Sequence, residues 1–169
     1  MQLAYEIYES PMGPICVISD EENIIKLHFE QDKWVNYLSK HEDIVHGSKL
    51  CSEAVKQLEE YFDKRRKSFD LPLKPEGTTF QKKVWEALNT IPYGELRSYS
   101  DIANIIGNPK GRQAVGQANK VNPLPIFIPC HRVIGKSGKL IGYAGSRTDL
   151  QKQLLEVEGC CKSEEGSNY

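Results

Sequence analysis

Residues 98–121, SYSDIANIIGNPKGRQAVGQANKV, decide how the second half of the chain folds. Ser98 followed by Asp101 is typical of a helix start, and Gly107 followed by Pro109 is typical of a helix end. The stretch therefore predicts one helix ending at Gly107 and another over residues 110–121. Two short helices joined by such a turn favour a helix-turn-helix, although many helix pairs of this kind never contact DNA.

The second of these helices is rich in small residues, namely Gly111, Ala114, Gly116 and Ala118. A glycine inside a helix costs about 1 kcal/mol relative to alanine, so a close approach of some other group should offset the cost. That group is either another helix, which is the simpler interpretation, or a nucleic-acid backbone or groove.

Upstream of this stretch, the sequence predicts a further helix and a separate N-terminal domain. Thr78 with Gln81 forms a capping-box pattern, and apolar residues then recur at helical spacing until residue 91. The Pro- and Gly-containing loop at 71–77 is the best boundary. Before it, strands are predicted at 3–8, 14–19 and 23–29 and a helix at 50–63. We therefore predict domains over 1–75 and 76–160, followed by a tail at 161–169.

The composition narrows the class of protein. With 169 residues, 39% of them apolar and 27% charged, the chain can bury a sizeable core. It shows neither a membrane-length apolar run nor a signal peptide, and its five cysteines show no paired spacing. We therefore expect a protein of the reducing cytoplasm (the nucleus in a eukaryote), without a disulfide framework or membrane partner.

The charge is distributed unevenly along the chain. Residues 1–75 carry 10 basic and 14 acidic residues, for a net charge of −4, whereas residues 76–158 carry 11 and 7, for +4. The second half is the better candidate to face a polyanion, and the alternative is an ordinary solvated surface.

Residues 122–146, NPLPIFIPCHRVIGKSGKLIGYAGS, contain the strongest chemical signal. Cys130, His131 and Arg132 are adjacent, and this electropositive setting predicts a lowered thiol pKa and a nucleophilic cysteine. The alternative is a small buried cysteine without a chemical role. Adjacent residues of an extended chain point to opposite faces, so His131 would reach Cys130 only through a turn or a water. The cysteine spacing does not predict a zinc site.

These motifs strongly resemble those of the O6-alkylguanine-DNA alkyltransferases, also called methylated-DNA–protein-cysteine methyltransferases. The resemblance is close over residues 78–159. The strings that carry it are Asn122-Pro123, Pro129-Cys130-His131-Arg132-Val133-Ile134, Gly142-Tyr143-Ala144-Gly145, Phe80-Gln81, Val84-Trp85, Ile91-Pro92-Tyr93-Gly94-Glu95, Ser98-Tyr99 and Ala114-Val115-Gly116.

The resemblance implies an α/β (α+β) fold, with a ribonuclease-H-like N-terminal domain and a winged-helix-like C-terminal domain. It implies DNA repair by direct reversal, in which Cys130 irreversibly accepts the alkyl group of O6-alkylguanine, once per molecule. His131 would be the base, acting through a water, and Glu158 would polarise it, with Glu156 as the alternative carboxylate. Tyr99 would assist the departing O6, and Asn122 would brace the turn. Neither metal nor cofactor is implied, and O4-alkylthymine is left open as a substrate.

The resemblance also implies how DNA would be bound, by a monomer that holds double-stranded DNA through its minor groove with the damaged base flipped out. Many family members carry an arginine at position 113, where this chain has Gln113, and Arg112 is rotated from it by about 100°. A second glycine is usual where this chain has Ser146. The DNA-contacting residues would be Ser98, Gly111, Arg112, Gln113, Ala114, Gly116 and Arg132. The base pocket would be formed by Tyr99, Tyr143, Ala144, Gly145 and Ser146.

Two other functions fit parts of the same sequence. A non-catalytic protein of the same fold could bind alkylated DNA without repairing it, but such relatives lack the acceptor cysteine. A cysteine hydrolase would also use a Cys-His pair, but would regenerate its thiol with each turnover.

Overall fold

The computed structural model describes residues 1–135 and 148–160. The chain divides into two units, Met1–Glu76 and Gly77–Tyr169. Together they give the mixed α/β architecture that the sequence predicts, with a sheet in the first unit and mainly helices in the second. Within the described residues no helix has the length and apolar character needed to span a membrane.

The first unit is built on a four-stranded sheet with the order β3-β2-β1-β4. Strands β1 (Ala4–Ser10) and β2 (Gly13–Ser19) form an antiparallel hairpin, and β3 (Ile24–His28) pairs antiparallel with β2. The short β4 (Val45–His46) pairs parallel with β1. All three predicted strands are confirmed, whereas β4 was too short to leave a pattern in the sequence.

Two helices complete this unit, α1 (Gln31–Lys40) and α2 (Lys49–Phe62). Helix α2 is the one predicted at 50–63; the Ser48 hydroxyl caps it by accepting a hydrogen bond from the Cys51 N–H. Helix α1 was not predicted, because its N-cap makes no side-chain hydrogen bond and Trp34 is its one buried residue. Trp34 packs with Cys16 and Ile18 of the sheet.

The second unit is organised around helices α3 (Thr79–Leu88), α4 (Tyr99–Ile105), α5 (Arg112–Lys120) and α6 (Thr148–Val157). Its two short strands, β5 (Arg97–Ser98) and β6 (Val133–Ile134), pair parallel. Both predicted capping boxes, Thr78 with Gln81 and Ser98 with Asp101, are present at the starts of α3 and α4.

Helices α4 and α5 form the predicted helix-turn-helix, although α5 starts at Arg112 instead of residue 110. Helix α5 buries Val115 and Ala118, and the Ala118 carbonyl accepts a 2.9 Å hydrogen bond from the Trp85 indole N–H of α3. These contacts hold one side of α5 in the core and leave Gln113 and Ala114 exposed to solvent.

The two glycines of this region have different surroundings. A Cβ on Gly111 would lie 2.7 Å from Asn108 Nδ2 and 3.2 Å from the Asn108 carbonyl oxygen, so a larger residue there would require the Asn108 side chain to move. A Cβ on Gly116 would lie 3.9 Å from the nearest atom, Tyr99 Cε1, which is an ordinary contact. Packing against a neighbouring helix therefore does not account for Gly116.

Candidate active site

The Cys-His-Arg sequence forms a single 3₁₀ turn, Cys130–Arg132, which follows Pro129. The Cys130 N–H donates to the Ile128 carbonyl at 2.7 Å, and the Arg132 N–H donates to the Pro129 carbonyl at 3.0 Å. Cys130 is 1% exposed, His131 is fully buried and Arg132 is 7% exposed. Because the segment is a turn, its adjacent side chains do not alternate between two faces as they would in a strand.

Glu158, directly after α6, joins two side chains of this turn. Its Oε2 accepts from His131 Nε2 at 2.6 Å and from Arg132 Nη2 at 3.0 Å, while its Oε1 accepts from Arg132 Nε at 2.9 Å. The Gly94 N–H donates to Oε1 at 3.2 Å. Glu156, the alternative carboxylate, is exposed, so Glu158 is the residue that contacts His131.

The protonation states of Glu158 and His131 follow from their surroundings. Burial alone would raise the pKa of Glu158, but hydrogen bonds and charge from His131 and Arg132 outweigh burial and hold that pKa well below its usual range. Burial lowers the pKa of His131 by more than the contact with Glu158 raises it. An ionised carboxylate only accepts hydrogen bonds, so neutral His131 carries its proton on Nε2 and presents Nδ1 as a base.

The thiol of Cys130 differs from the sequence prediction. Burial raises its pKa to about 12, and a hydrogen bond from the Asn122 side chain only partly opposes this. The predicted lowering of this pKa is therefore wrong. The adjacent guanidinium of Arg132 is bound by Glu158, and sequence adjacency could not reveal that the positive charge was already paired.

Tyr99, the first residue of α4, lies near the same thiol. Burial, with a smaller contribution from the charge of Cys130, raises the pKa of Tyr99 to about 12. The phenol therefore stays protonated at neutral pH and keeps its hydrogen for donation.

Asn122 fixes the loop that leads into the turn. Its Nδ2 donates to the Ile128 carbonyl at 2.9 Å, and its Oδ1 accepts from the Leu124 N–H at 2.9 Å. Between these contacts, Ile126 is 1% exposed and has a φ of 74°, a region that β-branched residues rarely adopt. The loop therefore holds a strained backbone conformation four residues before the cysteine.

The residues expected to contact DNA separate into two groups. Arg112, Gln113 and Ala114 are exposed on the first turn of α5, and Ser98 and Gly116 are half-buried. The prediction that Arg132 contacts DNA is wrong. Its guanidinium is buried, is paired with Glu158 and donates from Nη1 to the Ile91 carbonyl at 2.6 Å. This arrangement does not support a contact of Arg132 with a phosphate. Tyr143, Ala144, Gly145 and Ser146 lie outside the described residues.

Sequence reasoning missed several residues that support the turn. Gln151 of α6 is fully buried, and its Nε2 donates to the His131 carbonyl at 3.1 Å and to the Val133 carbonyl at 2.9 Å. Asn119 of α5 is 1% exposed, and its Nδ2 approaches the Cys130 carbonyl at 3.4 Å. The signal available in the sequence was an amide residue on the buried face of each helix.

No arrangement of three or more His, Cys, Asp and Glu side chains suited to a metal ion occurs in residues 1–135 and 148–160. Among these residues, the groups assembled around Cys130 are a base, a carboxylate, a phenol and two carboxamides. Together they can remove a proton from a thiol and stabilise a departing oxygen.

Two family models match this chain. Residues 79–160 match the model described as "6-O-methylguanine DNA methyltransferase, DNA binding domain". Residues 3–75 match the model described as "6-O-methylguanine DNA methyltransferase, ribonuclease-like domain". These matches account for nearly all of both structural units.

Similar proteins point the same way. The chain is 50% identical over 155 residues to the constitutive methylated-DNA–protein-cysteine methyltransferase of Bacillus subtilis, covering 91% of this chain and 94% of that protein. It is 50% identical over 157 residues to the protein of the same name from Methanosarcina acetivorans, covering 93% and 99%. A crystal structure of the Mycobacterium tuberculosis protein OGT in complex with DNA superimposes with a TM-score of 0.80 at 40% identity, covering 97% of this chain and 98% of that one.

Proposed function

The chain belongs to the 6-O-methylguanine DNA methyltransferase family, and from this premise we propose that it repairs DNA by moving the methyl group of O6-methylguanine onto its own Cys130. The observation that carries the assignment to Cys130 is the buried turn. In this turn the cysteine is followed by a fully buried histidine whose Nε2 is bound to the Glu158 carboxylate at 2.6 Å, which supports a role for His131 Nδ1 as the base.

The raised pKa of the thiol determines how the transfer must proceed. A thiol whose pKa is about 12 is almost entirely protonated at neutral pH, so its proton must leave as the sulfur attacks. His131 Nδ1 receives that proton through a water, and the imidazolium formed is stabilised by Glu158. The buried Glu158 carboxylate is therefore placed to stabilise the positive charge that forms on His131.

The bond changes are a single in-line displacement. The sulfur of Cys130 forms a bond to the methyl carbon while the bond from that carbon to guanine O6 breaks. The protonated Tyr99 hydroxyl donates a hydrogen bond to the departing oxygen. A thioether is not hydrolysed under these conditions, so each molecule reacts once.

Binding of the DNA is assigned to the exposed side of α5. Arg112, Gln113 and Ala114 present short or flexible side chains there, which suits entry into a minor groove about 6 Å wide. The target atom is enclosed inside a duplex, so the base must rotate out of the stack to reach a cysteine that is 1% exposed. The acceptor, its base and α5 all belong to the unit Gly77–Tyr169, which supports the proposal that a monomer acts on each lesion.

The test is intact-protein mass spectrometry after incubation with duplex DNA that contains one O6-methylguanine. We expect a gain of about 14 Da, one methyl group, that saturates at one per chain and maps to Cys130. Binding without any mass gain would instead indicate a protein that marks damage without repairing it. Repeated repair with an unmodified thiol would indicate a hydrolytic catalyst and refute the transfer.

A further inference from the structure

Helix α6 holds the acceptor turn at two points. Gln151 and Glu158 are seven residues apart, which on a helix is nearly two full turns and places them on the same side, about 10 Å apart along the axis. Glu158 binds the side chains of His131 and Arg132, whereas Gln151 donates to the backbone carbonyls of His131 and Val133. The proposed function uses the first of these contacts and leaves the second unexplained.

The hydrogen bonding of Gln151 is one-sided. Its Nε2 makes both bonds, at 3.1 and 2.9 Å, while its buried Oε1 has no hydrogen-bond partner among the described residues. A buried polar atom without a partner costs about 1–3 kcal/mol, so a residue chosen for stability alone would not be expected to leave one. What Gln151 supplies to the site is therefore its N–H donors.

The two carbonyls lie on either side of Arg132, at the end of the turn that follows Cys130. The first belongs to His131, inside the turn, and the second to Val133, the first residue of β6. Fixing both restricts rotation of the backbone that carries His131 and follows Cys130. In-line displacement is sensitive to such rotation, because a displacement of about 1 Å between reacting groups can lower a rate by about 100-fold.

We propose that Gln151 is a positioning residue for the methyl transfer, and that its side-chain N–H groups, bonded to the His131 and Val133 carbonyls, hold the acceptor turn in its reactive orientation. The inference rests on the proposed function. It assigns to α6 a second task beside the binding of His131, carried out through the backbone of the turn.

The experiment measures single-turnover methyl transfer by three variants over a series of duplex concentrations. Gln151→Met has nearly the same shape but no hydrogen-bond donors. Gln151→Lys keeps N–H donors and lacks the side-chain oxygen that has no partner. Leu154→Val is a control for lost stability at a buried residue of α6. We expect Gln151→Met to lower the maximal rate about tenfold or more, with the half-saturating DNA concentration unchanged within about twofold. Gln151→Lys should keep the rate within about threefold of the wild type, since its ammonium can donate to both carbonyls.

The outcomes separate the two proposals. A Gln151→Met protein that transfers at the wild-type maximal rate, or slows no more than a Leu154→Val protein of equal melting temperature, overturns the positioning role. A Gln151→Lys protein that melts at the wild-type temperature, and so tolerates the buried ammonium, but is as slow as Gln151→Met also overturns it, because the donors would then not matter. Failure of the wild type to take up a methyl group would refute the proposed function, and with it this inference.

A measurement on the wild-type protein keeps the inference testable if the Gln151→Met protein does not fold. Hydrogen exchange of the Gln151 side-chain amide, followed by NMR, should be slowed at least tenfold relative to free glutamine, since both hydrogen bonds are buried. Exchange at the rate of free glutamine would overturn the inference.

Discussion

A buried cysteine in each unit shows what separates an inert thiol from a reactive one. Cys16 lies in the core of the first unit with Ile18 and Trp34, and Cys130 lies in the turn of the second; burial raises the pKa of both to about 12. In both cases burial is the largest cause; Cys51 and Glu6 contribute to the rise at Cys16, whereas a hydrogen bond from Asn122 partly opposes it at Cys130. The pKa of the thiol therefore does not distinguish the two cysteines. What distinguishes Cys130 is the histidine that follows it, whose Nε2 is bound to Glu158.

The largest difference between the two cysteines is expected when each thiol is removed in turn. Cys130→Ala should abolish methyl transfer, because the acceptor atom is gone, and should keep its affinity for lesion-containing duplex within about twofold, since α5 is unaffected. Cys16→Ala should transfer one methyl group per chain and lose about 1 kcal/mol of unfolding free energy. Intact mass, fluorescence anisotropy and urea unfolding measure the three quantities. Methyl uptake by Cys130→Ala would refute the acceptor assignment.

The next largest effect is expected from Glu158→Gln. The neutral amide cannot balance the buried guanidinium of Arg132, which should lower the unfolding free energy by about 3–5 kcal/mol. It can also donate to His131 Nε2, which would move the histidine proton to Nδ1 and remove the base, lowering the transfer rate about 100-fold or more. Urea unfolding and single-turnover kinetics at a temperature where the variant is folded test both parts.

Glu156→Gln is the matched control, because it makes the same chemical change at an exposed position of the same helix. Its rate and stability should both equal those of the wild type within experimental error. A Glu158→Gln protein that transfers as fast as Glu156→Gln would exclude Glu158 from the proton transfer.

The pH dependence of the transfer rate distinguishes two mechanisms. Either Cys130 is already a thiolate before it attacks, or His131 removes the thiol proton during the transfer. Burial lowers the pKa of His131 below the ordinary value of about 6.5, so the base remains neutral and the rate constant flat from about pH 8.5 to 6.5. Below the folded-state pKa of His131, the rate should fall about tenfold for each pH unit. Single-turnover kinetics at saturating duplex measure this. A rate that rises steadily between pH 7 and 9 would mean that a pre-formed thiolate attacks.

The free energy of unfolding also depends on the protonation of His131. The unfolded chain protonates His131 at about pH 6.5, whereas the folded chain resists protonation, so acid favours unfolding. The stability associated with neutral His131 is complete above about pH 6.5 and is lost as the pH falls from there through the folded-state pKa. Thermal unfolding of His131→Gln should lack this part of the pH dependence.

The smallest effect is expected on the exposed face of α5. Gln113→Arg should tighten binding to lesion-containing duplex about threefold, since it places a cation at the position where many family members carry one. The double substitution Arg112→Gln with Gln113→Arg keeps the net charge and tests position alone. Unchanged or weaker binding of both variants in anisotropy titrations would contradict a wedging role for position 113.

Local patterns made much of this fold predictable. The capping boxes of Thr78 with Gln81 and Ser98 with Asp101 depend on residues three apart, and both are present. The pairing of Glu158 with His131 spans 27 residues and followed only from the family resemblance, since its spacing alone is typical of an exposed helix carboxylate. Helix α1 carries Trp34, Tyr37 and Leu38 at helical spacing, but no side-chain cap marks its start, and it was missed.

The error over Arg132 has one physical origin. A sequence shows that a guanidinium is adjacent to a thiol, but not which carboxylate neutralises it. The pairing with Glu158 removes Arg132 from the residues expected to contact DNA and also neutralises the charge that was expected to acidify Cys130. Both corrections follow from one buried ion pair that forms only when α6 packs against the turn.

The burial of Cys130 has a consequence for how long the protein survives before it is used. Because burial raises its pKa to about 12, almost none of the Cys130 thiol is ionised at neutral pH, so peroxide and other small oxidants, which react with thiolates, react with it slowly. A molecule that works once cannot replace a sulfur lost to oxidation. Hydrogen peroxide should therefore consume Cys130 far more slowly than it consumes free cysteine, leaving the sulfur intact until a damaged base arrives.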